Sequence, residues 1–318
     1  VDGADFIVGP LLREEVIAIE ALAGPVATLA LNQLADNALP PPNFFQFALA
    51  PEDEAEQVAR LASLRHGGRA VALVPNDDWG RRLLASFSAA LSAQGGRLIE
   101  YASYDTWEQD FSQPITRMLQ LDQSEDRRRR LAALAGTQLE FQPRRRQDAD
   151  FLFLAARTPH ARLIRPQLRY FFAGNLPTYS PSAVFQPGGG VDGDLNGIIF
   201  PDAPWLLDPD ESMQRLKSQI ETAWPGRGDR LGRLYAMGFD AYRLVPLLFS
   251  TTAEAGMPAI DGMSGRLTLS ADGRIHRSLA WAQFRGGRPV ALSLPELERL
   301  EAPAAELEAA EVVDGRPR

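Results

Sequence analysis

The chain has 318 residues, is 45% hydrophobic and 23% charged, and carries a formal net charge of −8 with no cysteine. That length suits two lobes better than one core, and the acidic balance argues against general nucleic-acid binding. The lack of thiols excludes disulfides, cysteine nucleophiles and cysteine metal sites, and is compatible with an oxidising compartment. Lys217 is the single lysine, so nearly all positive charge is arginine, as GC-rich codon usage favours. No run of about 18 apolar residues occurs, so no helical membrane span is expected.

In chain order, residues 4–9 (ADFIVG) predict a strand closed by Gly9 and Pro10. Val16, Ile17, Ile19 and Leu22 follow at helical spacing, and Gly24 and Pro25 stop that helix. Residues 25–31 (PVATLAL) predict the next strand, ending at Asn32, and a proline-rich loop at 40–42 leads into a strand at 44–49. Residues 50–54 (APEDE) place acidic side chains in the first turn of an amphipathic helix reaching about Leu64, where they complement the helix dipole. Residues 69–75 (RAVALVP) predict a strand closed by Asn76, Asp77, Asp78, Trp79 and Gly80, followed by a crossover helix at 81–94 and a strand at 97–104. Residues 106–118 predict a loop and a helix, and the charged stretch at 122–130 predicts an exposed helix continuing through Leu134.

Residues 150–156 (DFLFLAA) are continuously apolar behind an acidic turn, the pattern of a strand buried on both faces of a parallel sheet. Thr158 and Pro159 start a helix whose apolar side holds Ala161, Leu163, Ile164, Leu168 and Phe171. A second apolar run at 170–174 predicts a strand that breaks at Asn175 and Pro177. Beyond it, 195–201 predict a strand, 202–210 a connector, and 211–223 and 230–249 two helices. Residues 265–269 and 280–284 predict late strands around a hairpin turn at Asp272 and Gly273. The alanine- and glutamate-rich tail from Glu296 is expected to fray. Alternation of strand and helix on this scale defines an α/β chain built from two doubly wound parallel sheets.

Reactive constellations do not emerge from these residues. His66, His160 and His276 lie in different elements without ligand spacing and are expected on the surface or in loops. No HExxH, GxSxG, Walker or GxGxxG pattern occurs, and Gly188, Gly189 and Gly190 precede no helix, so they form a loop rather than a phosphate cradle. Asp77, Asp78 and Asp202 stand at strand ends, where turn and cap roles compete with catalysis. No catalytic residue, metal site or cofactor is expected. Arg127, Arg128, Arg129 and Arg130 with Arg144, Arg145 and Arg146 make a basic patch on an acidic chain. It either steers an acidic partner surface or pairs internally with Asp148, Asp150 or Glu140. Nucleic acid is not expected as a partner, because no aromatic residues interleave with the patch.

The order of elements resembles the type I periplasmic-binding-protein fold over nearly the whole chain. Within it, GPLLREEV (9–16), FALAPEDEA (47–55), LEFQPRRRQDADFLFLAA (139–156), LIRPQLRYFFAGNLPTY (163–179) and DLNGIIFPDAPWLL (194–207) are similar to the LppC-type lipoproteins. Those are outer-membrane activators of class A penicillin-binding proteins. The resemblance implies one lobe from 1–49 with 208–275, a second from 50–207 with 276–295, and a tail at 296–318. It also implies a first strand and helix ahead of residue 4, missing from the first lobe here, and a lipidated cysteine and helical-repeat domain in a parent protein. The chain opens at Val1, Asp2 and Gly3 without a signal peptide, as a fragment would.

Function follows from the same resemblance as an expectation. The chain would be a non-enzymatic regulator of peptidoglycan synthesis, docking on a class A penicillin-binding protein at the periplasmic face of the outer membrane. Membrane attachment would come only through the parent's lipid anchor, the chain itself being soluble. The alternative is a periplasmic solute-binding receptor for an amino acid or a cell-wall fragment, held in a cleft between the lobes. By position in that fold Arg13, Asn32, Asp77, Trp79, Arg157, Asn175 and Tyr179 would face such a ligand. The loops at 11–14 (LLRE) and 32–34 (NQL) replace the small hydroxyl residues that catch amino acids in receptors of this fold, which weighs against an amino-acid ligand.

Overall fold

The structure, a computed structural model, describes residues 3–20, 24–34, 40–122, 134, 144–228, 230–250 and 257–293. The elements begin β1 (Phe6–Val8), α1 (Arg13–Glu20), β2 (Ala27–Ala30), β3 (Phe44–Phe47), α2 (Pro51–His66), β4 (Arg69–Pro75), α3 (Asp78–Ala93), β5 (Arg97–Tyr104) and α4 (Ser112–Met118). They continue with β6 (Phe151–Leu154), α5 (Thr158–Tyr170), β7 (Thr178–Tyr179), β8 (Ile198–Asp202), α6 (Pro204–Leu207), α7 (Glu211–Ala223) and α8 (Gly232–Ser250). The last are β9 (Ile260–Asp261), β10 (Arg266–Leu269), β11 (Arg274–Ser278), β12 (Ala280–Arg285) and β13 (Arg288–Ala291). The helix expected at 122–134 lies almost wholly outside the described residues. Two compact units result, Val1–Asp53 with Asp202–Ala280 and Glu54–Pro201 with Trp281–Arg318.

In the first unit the described strands form a sheet in the order β1-β2-β3-β11-β10-β9. The first four run parallel, with Phe6 opposite Ala27, Thr28 opposite Phe44 and Ile275 opposite Phe47. Met237, Ala241, Leu244 and Leu248 recur at helical spacing along α8 and bury against Leu29, Phe47, Leu267 and Ile275. That single apolar stripe is what holds α8 on the sheet. Val16 of α1 covers the other side with Ala30, Leu34 and Phe44. Between these apolar positions Asp240 is fully buried, and it accepts hydrogen bonds from Met263 N (2.8 Å), Ser264 N (2.7 Å) and Ser264 Oγ (2.6 Å).

The late hairpin differs from expectation in its second strand. β10 pairs with Arg274–Ser278, Leu267 standing opposite Arg277, and not with residues 280–284. Gly273 at φ +77 closes the turn by donating to Ser270 O at 3.0 Å, so the chain reverses at once and leaves no slack for a later partner. Residues 280–285 instead form β12 of the other sheet, where Ala282 faces Ala291 of β13. Gly286 and Gly287, both at positive φ, make the two-residue turn that this hairpin requires.

The second unit carries a sheet in the order β13-β12-β8-β7-β6-β4-β5. Every residue of β6 and β8 is buried, as is all of β4 after Arg69, which is why these segments read as unbroken apolar runs. Leu83, Phe87 and Leu91 of α3 bury on this sheet, and Phe87 stacks on Phe153 with ring centroids 4.2 Å apart. Each such aromatic contributes about 2 kcal/mol or more by burial alone.

The segment at 170–174 is not a strand. Helix α5 runs on to Tyr170 and closes with Phe172 N donating to Arg169 O (3.3 Å) and Ala173 N to Leu168 O (2.8 Å), the paired bonds of a Schellman motif. The strand comes later, as the two residues of β7 between β6 and β8. It is held by Arg165, which is buried and donates to Thr178 Oγ1 (3.1 Å), Gly174 O (3.2 Å) and Asn196 O (3.3 Å).

His66 departs from the surface position expected of it. Its ring packs against Phe151 and Tyr179, and Nε2 lies 3.1 Å from the Tyr179 hydroxyl. Burial, assisted by the Arg65 charge, pushes its pKa down to about 4. The unfolded chain takes up this proton near 6.5 while the folded chain stays neutral, so the unfolded state binds more protons between those values. Stability is therefore full above pH 6.5 and falls as pH is lowered toward 4, by an expected amount on the order of 2 kcal/mol after allowance for solvent at this partly open site. His66→Phe should flatten the curve over that window in denaturant titrations. An unchanged slope would show that His66 does not titrate this way. His160 reaches Thr106 O at 3.0 Å, and His276 is exposed.

Candidate functional site

Parallel strands carry their N-termini to one edge of a sheet and their C-termini to the other, and the candidate residues of the second unit separate accordingly. At the C-terminal edge, β4 ends at Pro75 and Asp77 caps α3, its Oδ1 accepting from Gly80 N at 2.7 Å. Trp79 follows in the first turn. Strand β6 ends at Leu154, and Arg157 is the N-cap residue of α5. The Arg157 guanidinium carbon lies 4.4 Å from the centroid of the Trp79 ring, with Nη1 3.9 Å from Asp77 Oδ2. Tyr104, at the end of β5, donates to Ala155 O at 2.9 Å, and burial drives its phenol well above the ordinary range.

Asp77, Trp79 and Arg157 thus converge from two strand ends. The Arg157 side chain is 51% exposed and that of Asp77 40%, so both charges are open to a ligand, while the Trp79 ring lies partly buried beneath Arg157. Nothing in the trio is a nucleophile with an adjacent base. Among the described residues no group of three His, Asp or Glu side chains is arranged to hold a metal. What the trio presents is a cation over an aromatic ring beside a carboxylate.

Two other members of the expected ligand set fall elsewhere. Tyr179 is fully buried in the sheet with its hydroxyl on His66, because β7 begins after the loop and carries Tyr179 into the core. Asn175 precedes β7 and so lies at the opposite, N-terminal edge, where Arg145 Nη2 approaches its Oδ1 at 3.5 Å. In the first unit Asn32 donates to Leu11 O (2.9 Å) and accepts from Gln33 N (3.0 Å), while Arg13 donates to Leu34 O (3.3 Å). These two side chains tie the loops after β1 and β2 to each other.

The arginine patch also divides. Arg127, Arg128, Arg129 and Arg130 lie outside the described residues. Arg146 is not a free docking group. Its side chain is 7% exposed and binds Asp148 through Nε (2.7 Å) and Nη2 (2.9 Å), and that hydrogen bonding holds the Asp148 carboxyl down at about 2. Arg144 is exposed, and Arg145 is half-buried with Nη1 donating to Arg146 O at 3.0 Å. Sequence reasoning missed Tyr170 and Phe172, which stand 77% and 50% exposed beside this edge. Their apolar character was attributed to a strand, and only a helix cap at Tyr170 would have revealed them.

Two predominantly parallel open sheets, each flanked by helices, define a protein of the periplasmic-binding-protein type. Residues 1–287 match the family described as "LppC putative lipoprotein", and the chain belongs to that family. It is 29% identical over 287 residues to the "Penicillin-binding protein activator LpoA" of Vibrio antiquarius (strain Ex25), covering 88% of this chain and 47% of that protein. The protein of the same name from Photobacterium profundum is 28% identical, with 89% and 46% covered. The chain thus spans about half the length of the curated relatives it matches. Among solved structures it is similar to the "LpoA (YraM) C-domain from Haemophilus influenzae, a regulator of PBP1A", with a TM-score of 0.69, 22% identity and coverage of 91% and 82%. It also resembles a "putative branched-chain amino acid ABC transporter" from Chromobacterium violaceum ATCC 12472, with a TM-score of 0.61, 26% identity and coverage of 89% and 81%. Among the described residues no helix is long and apolar enough to cross a membrane.

Proposed function

We propose that this chain is the periplasmic domain of a non-enzymatic regulator of peptidoglycan synthesis, which docks on a class A penicillin-binding protein and stimulates it. The single observation that carries this reading is membership of a family whose curated relatives are named activators of penicillin-binding proteins. Stimulation then arises from surface contact that favours an active conformation of the synthase, since the strand-end residues offer binding and no reactive group. The parent protein would be a lipoprotein at the periplasmic face of the outer membrane. The test is equilibrium binding of the purified chain to the periplasmic part of a class A synthase. Saturable binding is expected, and its absence at tens of micromolar would overturn the reading.

A second reading is favoured by Asp77, Trp79 and Arg157 at the C-terminal edge of a sheet, together with the likeness to a transporter component. On it the chain binds a small anionic or zwitterionic solute, such as an amino acid or a peptidoglycan fragment. A thermal-shift screen with those compounds separates the two, because a ligand that binds only the folded state raises the unfolding temperature as its concentration rises above Kd. Loss of any such shift in Trp79→Ala would locate the ligand. No shift with any compound is the outcome expected of a docking domain.

A further inference from the structure

The N-terminal edge of the second unit's sheet carries a feature that folding alone does not account for. Phe172 sits at φ +61 in the position just past the end of α5. In a Schellman closure that position is left-handed, and glycine or asparagine is its usual occupant because a larger side chain is strained there. A bulky residue at positive φ is an outlier in any structure. Phe172 adopts it while remaining 50% exposed, so the strain is not offset by burial. Strain of this kind gathers at contact and switch sites. Tyr170, at the end of the helix itself, is 77% exposed, with its ring set edge-on against Phe171 at 5.0 Å.

Arginines occupy the same edge of the sheet. Arg145 makes its described hydrogen bonds to the amide of Asn175 and the carbonyl of Arg146, and not to a carboxylate. Burial with no compensating anion lowers its pKa. Arg169 likewise donates to backbone oxygens, those of Asp194 (3.4 Å) and Asn196 (2.9 Å), and Arg144 is exposed. Exposed tyrosine and phenylalanine beside arginine is the composition that anchors protein–protein contacts. A cationic face on a chain of net charge −8 selects a partner of opposite local charge.

We propose that Tyr170, Phe172, Arg145 and Asn175 form a docking surface for a protein partner that presents an acidic segment bearing an apolar side chain. The proposal rests on the regulator reading above and deepens it by naming the face. The aromatic pair receives the partner's apolar side chain, and Arg145, with Asn175 holding it in place, meets the carboxylates.

Phe172→Gly provides the test, because relief of the left-handed strain and loss of the anchor act in opposite directions. Binding to the purified periplasmic part of a class A synthase is measured beside the unfolding midpoint, for wild type, Phe172→Gly, Tyr170→Ser and Arg145→Glu. Trp107→Ala, an exposed aromatic just past the end of β5, is the control. Phe172→Gly is expected to raise the unfolding midpoint while weakening binding by about tenfold or more. Arg145→Glu should weaken binding similarly and reduce its dependence on salt, with Trp107→Ala binding as wild type. If wild type binds the synthase and all three edge variants bind equally well, the face is wrong and the regulator reading stands. If wild type does not bind, the regulator reading and the proposed surface fall together. A wild-type dimer in sedimentation that Phe172→Gly dissociates would assign the surface to a second copy of the chain and overturn the proposal.

Discussion

Arg165→Met is expected to lower the stability of the second unit by about 3 kcal/mol. The guanidinium is buried and still protonated at neutral pH, burial bringing its pKa down to about 10. It donates to three oxygens, Thr178 Oγ1 in β7, Gly174 O in the loop entering β7 and Asn196 O just before β8. Methionine fills similar volume but leaves Thr178 Oγ1 and Gly174 O without this donor, Asn196 O keeping its bond from Arg169 Nη2 (2.9 Å), and each unsatisfied acceptor costs about 1 kcal/mol or more. Strand β7 has only two residues, so the side-chain bonds from Arg165 add to the few backbone bonds, such as Leu152 N to Pro177 O (2.8 Å), that fix its register. Hydrogen exchange at the amides of β6 and β8 reports this unit separately from the other, which a single unfolding midpoint would not. A loss well under about 1 kcal/mol would show that the oxygens are rehydrated and that Arg165 is not the tether described here.

Asp240→Ala is expected to destabilise the first unit by a similar amount, about 3 kcal/mol. Its two carboxylate oxygens take three donors from residues 263 and 264 in a fully buried site, with Arg243 Nη1 3.8 Å away. Asp240→Asn keeps the shape but turns one acceptor into a donor facing donors, so most of the loss should persist. Gly262 is fitted to the same carboxylate, since a Cβ there would stand 2.6 Å from Asp240 Oδ2 and 2.8 Å from Gly265 O. Gly262→Ala is therefore expected to act in the same direction as Asp240→Ala and to be less than additive with it. Full additivity of the two would mean that they do not share this contact.

The parts of the fold that were legible in the sequence are those whose signal is local. β4, β6 and β8 are buried on both faces, and a strand in that environment has no polar side to interrupt its apolar run. The Asp77 cap was legible for the same reason, as a short acceptor placed just before a helix. The aromatic run at 170–174 misled because the apolar character of Tyr170 and Phe172 implies burial, whereas the chain holds both outward. Separating Arg145 from Arg146 was beyond the sequence as well. Asp148 is near enough in sequence to pair with either, and the fold, in which Arg146 N donates to Leu119 O (2.9 Å), gives it to Arg146. The pairing of His66 with Tyr179 spans 113 residues and depends on a strand placed after Asn175 rather than before it. The ligand candidates Asn175 and Tyr179 failed together for that one reason, while Asp77, Trp79 and Arg157, anchored to well-predicted strand ends, came together.

The measurement that bears most directly on the central claim is the glycan-polymerising rate of a purified class A penicillin-binding protein, with and without this chain. The chain should be added as the folded 318-residue protein, at concentrations rising through the binding constant. Stimulation by surface contact predicts a saturable increase in rate that follows occupancy, retained in Trp107→Ala and lost in Phe172→Gly at concentrations where that variant no longer binds. An unchanged rate at saturating occupancy would contradict the account.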